Sequence, residues 1–157
     1  MAKETILILD MDKNITWTLK TLLENENYPV VIADTIDGAV KGFSEFQVSG
    51  FITEYWIKNV RTLDTIRKLK GMSPEAYVMM ITDKDTKEEE YEELLRSGVD
   101  DFFLKPMPIK KILLHLQKGL RYRNQSPASL VVGEGGSEGD YTMSTSSASI
   151  LPPQRGG

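Results

Sequence analysis

Short apolar runs alternate along the chain with longer segments in which apolar residues recur at helical spacing. The first run, Ile6 to Leu9, is uninterrupted and stops at Asp10. An unbroken run of this length is typical of a strand that is buried on both faces, as in a parallel sheet. The pattern therefore predicts five strands, which are this run and four others: Val30 to Ala33, Phe51 to Thr53, Tyr77 to Ile81 and Phe102 to Leu104.

A helix is predicted after each strand, because the intervening apolar residues fall on one face of a helical period. Thr86, with Glu89 three residues later, forms a capping-box signature ahead of the fourth helix. Pro108 stands near the first turn of the fifth helix, where proline is tolerated. Alternating strands and helices predict an α/β fold, a doubly wound five-stranded parallel sheet with helices on both faces. The five helical stripes are Ile15, Leu19, Leu22 and Leu23; Ile36, Ala39, Val40 and Phe43; Val60, Leu63, Ile66 and Leu69; Tyr91, Leu94 and Leu95; and Ile109, Ile112, Leu113, Leu116 and Leu120.

The periodic pattern ends near Asn124, and the composition changes there. Nearly half of residues 124–157 are Gly, Ser or Pro. A segment of this kind cannot bury enough apolar surface to offset the entropy that it would lose on ordering. We therefore predict a folded domain over residues 1–123 and a flexible tail over residues 124–157.

Composition excludes several classes of function. The chain has 157 residues, of which 40% are hydrophobic and 27% charged, as in an ordinary globular domain. Its net charge of -4 gives no basic excess, so no nucleic acid partner is expected. No apolar run approaches the roughly 20 residues that span a bilayer, so no membrane association is expected. There is no cysteine, which excludes thiol nucleophiles and zinc–thiolate sites and fits a cytoplasmic protein.

Polar side chains follow the predicted strands at the points where the strands end. Asp10 and Asp12 follow the first strand, and Glu54, Thr82 and Lys105 follow the third, fourth and fifth. Sites in open parallel sheets form beyond the carboxyl ends of the strands, so these side chains are expected to converge. Nearby carboxylates suit a hard cation such as Mg²⁺, and an ammonium with a hydroxyl suits phosphoryl oxygens. The structural alternative is that each residue only caps a loop.

Three of these strand ends carry a family resemblance. The segment Ser97 to Pro106, which reads SGVDDFFLKP, resembles the last strand of response-regulator receiver domains. Ile6 to Asp10 resembles the first strand of that family, and Met79 to Thr82 resembles the fourth. The resemblance covers roughly residues 5–121. It implies a flavodoxin-like or CheY-like fold with strand order 2-1-3-4-5, and a role in bacterial two-component (phosphorelay) signalling.

The resemblance also implies roles for individual positions. In that family a histidine kinase phosphorylates an aspartate after the third strand, and Mg²⁺ is held by this aspartate and an acidic pair. Phosphorylation changes the surface of helix 4, strand 5 and helix 5, which implies a protein partner there, either a histidine kinase or an output protein. The corresponding positions here are Glu54 as phosphoacceptor position, Asp10 and Asp12 as acidic pocket, and Thr82, Phe102 and Lys105 as switch and phosphate-binding positions.

Two departures from the family pattern bear on the chemistry. Glu54 replaces the aspartate, and its carboxylate lies one methylene further from the backbone, whereas in-line phosphoryl transfer needs positioning within about 1 Å. The second acidic position holds Met11, which is no ligand for a hard cation, so Asp12 could serve only after a loop rearrangement. We therefore expect a non-enzymatic pseudo-receiver with no required cofactor and a weak or absent Mg²⁺ site at Asp10, Asp12 and Glu54.

Other interpretations of the same residues remain open. Leu7 to Asp12 also resembles the first motif of haloacid-dehalogenase-type, Mg-dependent phosphotransferases, with Asp10 as nucleophile and Asp12 as acid/base. A receiver that is phosphorylated on Asp10 or Asp83 is a further alternative. Within the pseudo-receiver interpretation, Glu54 either imitates the charge of an active receiver by pairing with Lys105 or is inert, which leaves a docking module.

Overall fold

The structure of the protein is a computed structural model that describes residues 4–83 and 88–124. Residues 125–157 of the predicted tail and the predicted capping residue Thr86 lie outside these residues, whereas Asn124, the first residue of that tail, is still helical. Within the described part of the chain, no helix is both long and apolar enough to cross a membrane.

The described residues form a parallel sheet, a short hairpin and the helices that connect the strands. Their elements in chain order are β1 (Thr5–Leu9), α1 (Lys13–Asn25), β2 (Val30–Ala33), α2 (Ile36–Glu45), β3 (Val48–Thr53), β4 (Trp56–Ile57), β5 (Val60–Arg61), α3 (Leu63–Met72), β6 (Tyr77–Thr82), α4 (Glu88–Ser97), β7 (Asp101–Leu104) and α5 (Ile109–Asn124). The five-stranded sheet has the order β2-β1-β3-β6-β7, and β4 pairs only with β5. Counting the strands of the main sheet alone, this is the expected order 2-1-3-4-5.

Helices cover both faces of the sheet, as the unbroken apolar runs predicted. All four side chains from Ile6 to Leu9 are fully buried, and successive side chains of a strand point to opposite faces. Leu7 and Leu9 belong to a core with residues of α2, α3 and α4, whereas Ile6 and Ile8 belong to a core with residues of α1 and α5. Full burial of such a side chain contributes about 1.5 to 3 kcal/mol, so β1 stabilises both layers.

Strand β3 begins at Val48, three residues before the predicted start at Phe51. Gly50 lies in the additional part, and a Cβ atom there would be 2.8 Å from Ile6 Cδ1 and 3.2 Å from Leu116 Cδ1. The strand therefore passes too close to β1 and α5 for a side chain at this position. Because the position needs glycine, the hydrophobic pattern does not reveal this part of the strand.

Val60 belongs to a strand, so its predicted place at the start of the third helical stripe was wrong. Lys58 and Asn59 have positive φ angles of 50° and 66°, which is the backbone of a tight two-residue hairpin turn. The turn pairs Val60 with Ile57. The side chain of Val60 is 51% exposed, and α3 begins only at Leu63. The spacing between Val60 and Leu63 therefore matched a helix by coincidence.

Candidate functional site

The carboxyl ends of β1, β3 and β7 bring three charged side chains together. Lys105 Nζ lies 3.2 Å from Asp10 Oδ2 and 3.3 Å from Glu54 Oε2. The side chains of Lys105, Asp10 and Glu54 are 17%, 8% and 12% exposed, so water reaches the cluster only in part. One ammonium group therefore bridges two largely buried carboxylates. The proximity of Glu54 and Lys105 that the strand ends predicted is present in the structure.

The Glu54 carboxylate has polar contacts on several sides. Its Oε1 atom accepts a hydrogen bond from the backbone N–H of Tyr55, and Thr82 provides a side-chain hydrogen bond. Burial raises the pKa of Glu54 above its usual value of 4.5, and these hydrogen bonds and the charge of Lys105 offset the effect only in part. Glu54 thus contacts Thr82 and Lys105, the positions that the family resemblance associates with the phosphoryl group.

Lys105 is the positively charged centre of the cluster. Burial lowers the pKa of its ammonium group, but the negative charges of Asp10 and Glu54 and hydrogen bonds to both carboxylates outweigh burial. The pKa of Lys105 therefore lies above its usual value of 10.5. The ammonium stays charged at neutral pH and pairs with both carboxylates.

Asp12 caps helix α1. Its carboxylate accepts hydrogen bonds from the backbone N–H groups of Asn14 and Ile15, at 3.0 and 3.4 Å, which satisfies two donors of the first helical turn. The N–H of Asp12 itself donates to Asp10 Oδ1 at 2.9 Å. Met11, between the two aspartates, is 45% exposed. The loop after β1 is thus arranged around the start of the helix.

These residues do not fit a magnesium site. Asp10 and Glu54 are both paired with the Lys105 ammonium, whose positive charge offsets part of the charge that would attract a cation. The Asp12 carboxylate is committed to the first turn of α1. Across residues 4–83 and 88–124, no group of three or more His, Asp or Glu side chains is placed to hold a metal ion.

Residues 6–117, more than half of the chain, match the response regulator receiver domain family. The chain belongs to this family. Its fold is similar to that of a CheY-like receiver domain from Methanospirillum hungatei JF-1, with a TM-score of 0.73 and 22% identity over 78% of this chain and 97% of that one. A two-component response regulator from Clostridium difficile gives a TM-score of 0.72 and 20% identity over 78% of this chain and 100% of that one. The predicted CheY-like fold is confirmed.

The receiver domain also has relatives among curated proteins. The probable transcriptional regulatory protein TcrX of Mycobacterium tuberculosis is 25% identical over 134 residues, which are 83% of this chain and 57% of that protein. The DNA-binding response regulator MtrA of Mycolicibacterium paratuberculosis is 22% identical over 129 residues, 82% of this chain and 56% of that protein. The chain thus spans a little more than half the length of these relatives.

Thr82 and Phe102, at two of the positions that the family resemblance associates with switching, both have contacts within the domain. Thr82 is fully buried at the end of β6 and hydrogen-bonds with Glu54. Phe102 on β7 is 1% exposed, and its ring packs edge-on against Tyr91 of α4 with 5.6 Å between the ring centroids. Thr82 therefore contacts Glu54 in the site, and Phe102 contacts α4, which is part of the expected output surface.

The haloacid-dehalogenase alternative finds no support in this geometry. It requires Asp12 to act as the acid/base beside Asp10, whereas the Asp12 carboxylate caps α1. The family that residues 6–117 match is also that of receiver domains. Of the other possible acceptors, Asp10 is buried and paired with Lys105, and Asp83 is exposed directly after β6.

Two further residues near the site were not predicted from the sequence. Thr62 is fully buried, and its hydroxyl donates to the backbone carbonyl of Glu54 at 2.7 Å. Arg61 forms two hydrogen bonds with Glu93 of α4, at 3.1 Å from Nη1 to Oε1 and 2.7 Å from Nη2 to Oε2. No periodic pattern relates Arg61 to a residue 32 positions away. The sequence signal that could have revealed the hairpin was Asn59, because asparagine is favoured in tight turns. This hairpin positions both Arg61 and Thr62.

Proposed function

We propose that this chain is a cytoplasmic, non-enzymatic pseudo-receiver of a bacterial two-component (phosphorelay) system, and that it acts through protein contacts. Its phosphoacceptor chemistry is degraded, because glutamate stands at the acceptor position and Met11 at the second acidic position. The observation that carries the proposal is the placement of the Glu54 carboxylate, 3.3 Å from Lys105 and hydrogen-bonded with Thr82. An incoming phosphoryl group would need the same two partners.

In this proposal Glu54 imitates the charge of a phosphorylated acceptor. The additional methylene brings its carboxylate to the Lys105 ammonium, which a phosphoryl oxygen would otherwise contact. Burial of Phe102 against Tyr91 extends the packed region from the site towards α4. If Glu54 were inert, neutralising it would leave partner binding unchanged. If it imitates phosphate, Glu54→Gln weakens partner binding while the fold is retained.

The surface that we assign to the partner consists of α4, β7 and α5. Exposed side chains of α4 include the acidic residues Glu89 and Glu92 and the apolar Leu95, which is 52% exposed. An acidic patch beside a basic one favours a partner with complementary charges, because such complementarity steers association and fixes orientation. A histidine kinase or an output protein is the expected partner class. The exposed basic residues of α5 are Lys110, Lys111, Lys118 and Arg121.

The decisive experiment is incubation with acetyl phosphate and Mg²⁺, followed by intact-mass measurement. The native chain should gain no stoichiometric phosphoryl group, because the Glu54 carboxylate is displaced from the position of an aspartate and paired with Lys105. A mass increase of one phosphoryl group on most molecules would show that the domain is an ordinary receiver.

A matched variant shows whether the remaining site is intact. The double substitution Glu54→Asp with Met11→Asp supplies the two carboxylates that the family pattern requires. This variant should bind Mg²⁺ measurably better than the native chain, and it is the positive control for phosphorylation. Failure of the variant to bind Mg²⁺ would mean that more of the site than these two positions has been lost.

A further inference from the structure

The hairpin between the acceptor position and α3 has contacts at its base both with the site and with α4. It consists of β4 and β5, with Trp56 opposite Arg61 and Ile57 opposite Val60. The turn residues between the strands have positive φ angles, so the hairpin has a defined two-residue turn. Arg61, the last residue of β5, and Thr62, which follows it, provide the two contacts at the base of the hairpin.

Thr62 fixes the hairpin to the acceptor position. Its hydroxyl donates to the Glu54 carbonyl at 2.7 Å and lies 3.2 Å from the Tyr55 carbonyl, and its N–H donates to the Tyr55 carbonyl at 2.9 Å. Thr62 and Tyr55 are both fully buried. Because these bonds are made to the backbone of Glu54 and its neighbour, movement of the hairpin base would shift the acceptor loop.

Arg61 fixes the same hairpin to α4. Its guanidinium binds both carboxylate oxygens of Glu93, and the two side chains are 38% and 29% exposed. The planar guanidinium matches a carboxylate in this two-bond geometry, which specifies orientation as well as distance. The hydrogen bonds to Glu93 hold the pKa of Arg61 above its usual value. Arg67 lies farther from the same carboxylate, at 3.9 Å.

We propose that the β4–β5 hairpin couples the Glu54 site to α4, with Arg61 as the positioning residue. It provides a connection between site and output surface that requires no phosphoryl group. The inference rests on the proposed function, since it gives the pseudo-receiver a way to hold α4 in one orientation. The competing view is that Arg61–Glu93 is an ordinary surface ion pair, which contributes little.

Charge reversal with amide hydrogen exchange distinguishes these views. Arg61→Glu should increase exchange in residues 88–97 roughly tenfold and also increase it at Glu54 and Tyr55, because loss of the α4 contact loosens the hairpin base that Thr62 shares with the acceptor loop. The double variant Arg61→Glu with Glu93→Arg should restore most of the protection, since the pair is re-formed with its charges exchanged. Arg67→Ala, which removes the more distant arginine, should leave both regions close to native.

Several results would overturn the coupling. Equal effects of Arg61→Glu and Arg67→Ala would show that general charge balance, not the two-bond geometry, is involved. Loss of protection in α4 without any change at Glu54 would show that the hairpin does not connect them. If Arg61→Glu does not fold, Arg61→Lys carries the test, because it keeps the charge but loses the paired bonds. It should give an intermediate increase in α4 exchange, and native exchange would refute the proposal.

The two proposals fail separately. The exchange experiment uses neither phosphate nor a partner, so it measures the connection itself. A native chain that takes up a phosphoryl group but shows the predicted exchange pattern contradicts only the pseudo-receiver. A chain that takes up none and shows no exchange response to Arg61→Glu contradicts only the coupling.

Discussion

Lys105→Met should destabilise the domain much more than Glu54→Gln, although the two residues form one ion pair. Lys105 compensates two carboxylates, so its removal leaves Asp10 and Glu54, whose side chains are 8% and 12% exposed, without a positive partner in the cluster. Glu54→Gln leaves the Asp10–Lys105 pair, at 3.2 Å, in place. The glutamine amide oxygen has the same reach and still accepts the N–H of Tyr55.

The expected magnitudes follow from burial. Removing one partner of a fully buried ion pair costs roughly 3 to 5 kcal/mol of stability. The Lys105 side chain is 17% exposed, so water can enter the space that it leaves, and we expect Lys105→Met to cost roughly 2 to 4 kcal/mol. For Glu54→Gln we expect a change within about 1 kcal/mol, because burial raises the pKa of Glu54 and its ionised form gains little from folding. At about 4 °C per kcal/mol, the thermal midpoint should fall by roughly 8 to 16 °C in Lys105→Met and by less than about 4 °C in Glu54→Gln.

Urea unfolding at pH 7, followed by circular dichroism, measures both free energies of unfolding. The slope of free energy against urea should be unchanged in both variants, since neither alters the surface exposed on unfolding. Lys110→Met, which makes the same change at an exposed lysine of α5, is the matched control and should stay close to native. The predicted order of destabilisation is refuted if Glu54→Gln loses as much free energy of unfolding as Lys105→Met, because Glu54 would then be the main source of stability in the cluster.

The pH dependence supplies a second measurement on the same variants. Because the folded pKa of Lys105 is raised, its contribution is fully present below the unfolded value of 10.5 and is lost as the pH rises through the folded value. The stability difference between the native chain and Lys105→Met should therefore decrease above pH 10.5. An unchanged difference across that range would show that the charge of Lys105 does not stabilise the fold.

Two further changes test the packing and the domain boundary. Gly119→Ala should destabilise the domain by about 1 to 3 kcal/mol in urea unfolding, because a Cβ atom there would overlap the buried ring of Tyr77; Gly71→Ala, which meets nothing within 4 Å, is the control and should not destabilise it. A chain that ends at Arg123 should keep its thermal midpoint within a few degrees, because the composition of residues 124–157 gives them no core to join; a large decrease in calorimetry would mean that part of this segment packs on the domain.

The main sheet was predictable because its three inner strands, β1, β3 and β6, are buried on both faces. Ile6 to Leu9 of β1 and Tyr77 to Ile81 of β6 are uninterrupted apolar runs, and that pattern needs no knowledge of the partner strands. The cluster of Asp10, Glu54 and Lys105 followed from the same reasoning, since the carboxyl ends of parallel strands lie on one edge of a sheet. At Gly50 a close contact requires glycine and interrupts the apolar pattern, so the start of β3 was predicted three residues too far along the chain.

The parts that were not predicted depend on choices that the sequence leaves open. An aspartate shortly after a strand fits an acidic site and a helix cap equally well, and at Asp12 the nearby N–H groups of α1 are the partners. The Arg61–Glu93 pair joins residues on different elements, and each arginine of the region had several acidic residues within its possible reach. The turn at Lys58 and Asn59 sets the course of β5, from which Arg61 meets Glu93.

The central position of β1 determines the order in which a nascent chain can assemble its sheet. Ile6 pairs with Val30 and with Gly50, so β2, β1 and β3 are complete once the chain has emerged beyond Thr53. β6 and β7 then add one after the other on the same side of β3. Before β7 arrives, β6 presents a free edge of six residues that are all buried in the finished domain, and such edges pair readily with other chains. The interval between the synthesis of β6 and β7 is therefore a stage at which this protein is prone to aggregate.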